Sequence, residues 1–248
     1  MRYSLIILLS AIFAAGVCNA QVDETSARAL GMGGAYSAAA LDGTAPIWNP
    51  GAMDAFRRMA LSLNYSAFHI GLDNDFLHEG GLGYVLHLDR RFRYGSVGLS
   101  YTQFMADIYS QGIFTLGYSK RLWGQPDGKC FSLGANFSLY YSGFSEANFE
   151  NFTSGDPVFE DGTSSMAYSA DAGVYFRPTK WLSTGVCVKN LMPPDVSISQ
   201  SGASEVPMKI RGGFALDFDF INPIVEVEYA MDAPADKNLD PVSYTHLR

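Results

Sequence analysis

The chain has 248 residues and a formal net charge of −8, with 14% aromatic residues, 25 glycines and only 17% charged residues. An acidic balance argues against nucleic acid, which needs a basic surface. Low charge with many aromatics and glycines suits a β-rich chain that carries much apolar surface.

The first twenty residues, "MRYSLIILLSAIFAAGVCNA", place Arg2 before an apolar run from Leu5 to Val17. Small residues at Cys18 and Ala20 then fit a signal-peptidase site before Gln21, so residues 1–20 are expected to be an export signal. Lipoprotein processing at Cys18 is the rival reading, and Val17 before the cysteine counts against it. Cleavage would leave 228 of the 248 residues, and losing Arg2 takes the charge to −9. No later run approaches the length of a spanning helix.

Residues 21–58 form the next segment, and its core, "SARALGMGGAYSAAALDGTAPIWNPGAMDAF", follows neither strand nor amphipathic-helix periodicity. Gly33 to Ala40 is expected to form a short helix of small residues. Asp42 is expected to cap a second one over Thr44–Trp48, and Asn49-Pro50 reads as a cap followed by proline at the first helical position. Small residues allow close packing inside a barrel mouth, so the segment is read as a plug. A soluble tail would carry more charge.

From Ala60 onward the period is two. The strands read as "ALSLNYSAFHI", "GLGYVLHL", "GSVGLSYTQF", "IFTLGYSKRLW", "CFSLGANFSLYYS", "AYSADAGVYF", "WLSTGVCVKNL", "MKIRGGFALDF" and "PIVEVEYA". In the clearest run, Phe131, Leu133, Ala135, Phe137, Leu139 and Tyr141 oppose Ser132, Gly134, Asn136 and Ser138. The second face is small and polar rather than charged, which suits a narrow lumen better than a water-facing surface. Its few ionisable groups are the expected lumen residues: Asp171, Lys189, Lys209, Arg211, Asp217, Glu226 and Glu228. Runs of about ten residues with aromatics near their ends match tilted strands crossing a bilayer. Closure removes the sheet edges such strands would expose. An antiparallel transmembrane β-barrel over residues 59–241 is therefore expected in preference to a soluble β-sandwich. Short basic turns ("HLDRRFRYGS", "RPTKW") alternate with the long acidic "SGFSEANFENFTSGDPVFEDGTSSMA", as in outer-membrane barrels whose long loops face outward.

Candidate chemistry is sparse. His69, His78 and His87 recur at nine-residue intervals, and a hairpin centred near His78 would set His69 opposite His87. A third ligand is missing, and girdle and loop histidines are the better reading. Asp156, Glu160 and Asp161 lack calcium-loop spacing. "GMGGAY" follows no strand and lacks the rest of a dinucleotide fingerprint. No GxSxG, HExxH or CxxC occurs, so neither catalysis nor a metal or other cofactor is expected. Cys130 and Cys187 lie in strand-like runs, where small apolar positions are favoured over a disulfide.

The amino-terminal segment resembles the opening of the PorV/PorQ family of outer-membrane proteins, relatives of the FadL fatty-acid transporter. Arg28, Gly31, Gly33, Gly34, Ala35, Asp42, Asn49 and Pro50 fall on its "RALGMGGA…D…NP" pattern. Gly51-Ala52 stands where Ala-Gly is usual, a swap expected to loosen the turn. Downstream, Asp171, Gly173, Asn190, Leu191, Pro207 and Gly213 carry a second match. The resemblance implies a FadL-like barrel of fourteen strands with an amino-terminal hatch. It implies either a role in type IX secretion, binding carboxy-terminal domains of exported cargo, or passage of hydrophobic small molecules. About nine strands are visible. The ending "DPVSYTHLR" lacks a terminal aromatic strand, so the native chain is expected to continue past about Pro241, with 242–248 a non-native tail.

Overall fold

The computed structural model describes residues 26–68, 77–89, 93–145, 162–198, 204–218, 220–231 and 239–247, the last stretch as backbone. The leader, the segment with Asp156, Glu160 and Asp161, and His69 lie outside them. Among the described residues no helix is long and apolar enough to cross a membrane.

One antiparallel sheet of ten strands runs in strict sequence order. The strands are β1 (Ala60–Phe68), β2 (Leu77–His87), β3 (Ser96–Met105), β4 (Tyr109–Gly124), β5 (Cys130–Phe144), β6 (Ser164–Arg177), β7 (Leu182–Lys189), β8 (Lys209–Leu216), β9 (Ile221–Ala230) and β10 (Leu239–Leu247). The sequence predicts nine strands and sets residues 242–248 aside as a tail. The structure adds a tenth strand there, pairing Leu239 with Tyr229 through to Leu247 with Ile221. The edge of β9 offers unpaired N–H and C=O groups, and Val, Tyr and Thr are good strand formers, so the segment is suited to fill that edge.

The sheet is inverted relative to a soluble protein. Leu61, Leu63 and Tyr65 are 62–70% exposed, as are Phe114, Leu116 and Tyr118 at 47–48%. The alternate positions Ser96, Ser100, Thr115, Ser119, Ser132 and Ser138 are buried. Alternation throws each apolar set to the outer face, where only lipid removes it from water. This is an all-β fold of the outer-membrane barrel type.

The buried face packs against the amino-terminal segment. Here α1 (Ala27–Gly31), α2 (Ala45–Trp48) and a 3₁₀ turn (Pro50–Asp54) are joined by irregular backbone. The helix predicted over Gly33–Ala40 is absent. Gly33 and Gly34 adopt positive φ (62° and 84°) and turn the chain there. The helix lies earlier, where Ser26 caps it by accepting from the Ala29 N–H at 3.3 Å. Thr44 begins α2, its N–H and hydroxyl both held by Asp42 Oδ1 at 2.9 and 2.6 Å. Asn49 caps the 3₁₀ turn, its Oδ1 accepting from Gly51 N–H at 2.9 Å.

The sheet curls around this segment. Ala27 N–H reaches Asn64 of β1 at 3.2 Å, while ten residues later Ser37 reaches Glu226 of β9. The hydrophobic core lies at this junction and includes Tyr36, Ile47, Trp48, Met53 and Phe56 from the segment, with Val85, Cys130 and Tyr175 from the wall.

Candidate functional site: the plugged lumen

Cross-strand register turns the sequence into rows on the inner face. One row runs His87, Ser96, Ser119, Gly134, Gly173, Cys187, Arg211 and Glu228 across β2 to β9. The next includes Gly98, Gly117, Asn136 and Asp171. Glycine or serine at half of these positions brings the segment's backbone directly onto the wall. A Cβ on Gly134 would meet Pro50 O at 2.3 Å, and one on Gly51 would meet Gly173 C and O at 2.8 Å. Gly51 is therefore a close-contact residue. The loosened turn expected from the Gly-Ala order is not what its surroundings show, since Ser132 Oγ donates to Gly51 O at 2.6 Å and the turn is clamped.

The motif residues mostly hold the segment together. Asp42 pairs with Arg28 at 3.6 Å, accepts the Tyr36 hydroxyl at 2.5 Å and holds Thr44. Burial, reinforced by the Asp42 carboxylate, pushes the Tyr36 phenol far above its ordinary range, so it stays a donor. Asn49 Nδ2 ties two regions together by donating to Ser37 O at 2.9 Å and to Val174 O of β6 at 3.0 Å. Gly31 ends α1, and Pro50 opens the 3₁₀ turn.

The lumen candidates divide by position. Asn136 Nδ2 donates to Pro46 O at 2.6 Å and to Asp171 at 3.2 Å, and Asp171 also accepts the Asn190 N–H at 3.0 Å. Lys189 Nζ donates to Ile47 O at 2.9 Å. Glu226 accepts both the N–H and the hydroxyl of Ser37, at 2.7 and 2.5 Å. Glu228 pairs with Arg211 and with Lys209 at 3.6 Å, and the Arg211 guanidinium lies 5.0 Å over the Trp48 ring. Asp217 lies at the short-turn rim of the lumen rather than deep within it. It follows the last residue of β8, its carboxylate is half exposed, and it faces Arg177 at 3.9 Å. The period-two pattern does not reveal where a strand stops.

Sequence reasoning missed Asp54, a buried carboxylate where the segment leaves the lumen. It accepts from Ser96 Oγ at 2.8 Å and from the Arg121 N–H at 2.7 Å, with His87 at 3.8 Å. Burial alone would raise its pKa, but hydrogen bonds from His87, Arg121 and Ser96 outweigh it and hold the carboxyl below its usual range. The available signal was a lone acid in a stretch otherwise free of charge.

Of the three histidines, His69 lies outside the described residues, so its pairing with His87 is not described, and His78 and His87 stand at opposite ends of β2. His78 bonds the Tyr65 hydroxyl at 2.7 Å, whereas His87 sits at the other end of the hairpin, bonding Ser96 at 2.6 Å and Arg58 O at 3.1 Å. Cys130 and Cys187 are both buried, and no disulfide joins them. Two cavities flank the segment. One, of about 280 Å³, lies toward the end of the sheet with the longer connections and is lined by Ile47, Glu79, Thr115, Tyr140, Lys189 and Lys209 among others. The other, of about 490 Å³, lies at the short-turn end between α1 and β6–β9.

A transmembrane wall filled by its own amino-terminal segment is the geometry to compare with known proteins. Residues 47–245 match the family described as type IX secretion system membrane protein PorP/SprF. The chain belongs to that family. The match is to PorP/SprF, whereas the amino-terminal motif resembles PorV/PorQ, and it takes in Asn49 and Pro50 but not Arg28–Asp42. Among solved structures, the CymD monoaromatic hydrocarbon channel is similar at a TM-score of 0.52 and 10% identity, over 92% of this chain and 77% of that one. That likeness concerns the fold. No curated protein matches the chain in sequence. The PorP/SprF family is thus a membrane component of a secretion system, and neither description names an enzyme.

Proposed function

We propose that this PorP/SprF-family chain is an outer-membrane component of type IX secretion that works by binding protein partners. The role would parallel the binding and shuttling of exported proteins expected of PorV/PorQ. The observation that carries this reading is the filled lumen. Ser26–Asp54 is pinned to β1, β5, β6, β7 and β9 by hydrogen bonds from both sides. A pore for bulk passage would leave the centre open, whereas a scaffold that presents its rims and outer face to partners need not.

Deleting the gene tests it. Loss of secreted type IX cargo with unchanged uptake of aromatic hydrocarbons supports the reading. Intact secretion with reduced uptake supports the second reading, passage of hydrophobic small molecules. The similarity to a hydrocarbon channel favours that alternative, as do the two cavities on either side of the plug.

A further inference from the structure

The cavity at the short-turn end has a character the rest of the chain lacks. Its walls are apolar at Met32, Ala38, Ala39, Leu41 and Ile224. Arg28, Arg58 and Arg177 complete the lining against a single carboxylate, Asp217, on a chain of net charge −8. Beyond its rim, the turns and strand ends carry Lys120, Lys129 and Lys180, while the opposite end of the sheet carries Glu79, Asp107, Asp195 and Glu205. The net charge therefore conceals a polar distribution, basic at the short turns and acidic at the other end. The Arg177 guanidinium at the cavity's edge donates to Lys180 O at 2.8 Å, and its Nε has no partner among the described residues.

We propose that this cavity binds an extended polypeptide segment in which carboxylates alternate with apolar residues, presented from the aqueous space at the short-turn end. The cavity lies between α1 and the ends of β6–β9, on the side of the sheet opposite its exposed apolar face. Its positive charge is spread rather than focused. Arg28 is shared with Asp42 at 3.6 Å and Arg177 with Asp217 at 3.9 Å, while Arg58 makes no ion pair among the described residues. Spaced carboxylates suit that spread better than one compact anion, and the apolar walls take the side chains between them. The proposal rests on the protein-binding reading above and gives the partner its chemistry.

The test uses the full chain folded in detergent and a fluorescent peptide of three Glu-Leu repeats, followed by anisotropy. The peptide should bind more weakly as salt rises, and its Gln-Leu counterpart should bind about tenfold less tightly. Arg58→Gln removes an exposed charge without disturbing the fold and should weaken binding about tenfold, as one lost charge-assisted contact does. Ala39→Phe should block the cavity with no change of charge, while Lys129→Ala, away from the cavity, should leave affinity within about twofold. Equal binding of the Gln-Leu peptide, no effect of Ala39→Phe, or a loss with Lys129→Ala matching Arg58→Gln would overturn the proposal. So would saturable binding of dodecanoate where the peptide fails to bind. A strain that loses secretion on gene deletion while the purified chain ignores the peptide would keep the secretion role and refute this site.

Discussion

Ser37 donates its backbone N–H and its hydroxyl to the same carboxylate oxygen of Glu226, at 2.7 and 2.5 Å, across 189 residues of sequence. Glu226 is 2% exposed, so its carboxylate is held by partners within the protein, the two Ser37 donors among them. Glu226→Ala leaves both donors buried without an acceptor, at about 1–3 kcal/mol each. The amino-terminal segment should then loosen from β9, giving faster proteolytic cleavage within residues 26–58 than in the parent. Glu226→Gln retains an acceptor oxygen and should fall between the two.

The contact between Gly51 and Gly173 leaves no room for a methyl group on either side. A Cβ on Gly51 falls 2.8 Å from Gly173 C and O, and one on Gly173 falls 2.3 Å from Asn49 Oδ1. Gly51→Ala or Gly173→Ala should each cost about 1–3 kcal/mol through forced backbone separation. Gly31, where a Cβ meets nothing within 4 Å, is the control, and Gly31→Ala should be neutral or slightly stabilising. Thermal unfolding in detergent, read by loss of β-sheet circular dichroism, checks the order of the three variants.

The wall was legible in the sequence because period-two alternation depends only on which face each side chain takes. Leu99 and Tyr101 had to face opposite to Ser100, whatever lay on either side. The plug was legible as a composition but not as a shape. Nothing local distinguishes a Gly33–Ala40 helix from the turn that Gly33 and Gly34 make, because the segment that follows is held by the bonds of Ser37 to Glu226, 189 residues away. Glu226 could be assigned to the inner face from its alternation with Val225 and Val227. That it meets Ser37 could not, since the pairing depends on how far the sheet curls. That Asp217 sits at the rim was hidden for a related reason, as the strand ends one residue earlier.

Asp54 gives the plug a defined response to acid. Its carboxyl is held below the ordinary range in the folded chain. A depressed folded pKa means the unfolded state takes up the proton first. The stabilisation is therefore present above the unfolded value of about 3.9 and is lost as pH falls through the folded value. The anchorage of the 3₁₀ turn to Ser96 and Arg121 should hold at neutral pH and weaken only below about pH 4. Proteolytic accessibility around Phe56–Arg58, measured by an acid-active protease, should rise in that range. Asp54→Asn should raise accessibility at neutral pH and flatten the acid response.

Leu116 tests the inverted sheet itself. It lies within β4, its neighbours across the sheet are Leu99 and Phe137, and its side chain is 48% exposed with nothing of the protein covering it. In a soluble sandwich, replacing so exposed a leucine with arginine would be nearly neutral. In a bilayer, Leu116→Arg sets a guanidinium against acyl chains and should cost about 2–4 kcal/mol near the midplane. Ser138→Ala, on the opposite, buried face of the sheet, should cost about 1 kcal/mol through the lost bond to Thr115 at 3.0 Å. Refolding into lipid vesicles should therefore fall sharply for Leu116→Arg and little for Ser138→Ala. Solubility without lipid should rise for the arginine variant. The opposite order would mean that the apolar face is covered by protein rather than by membrane.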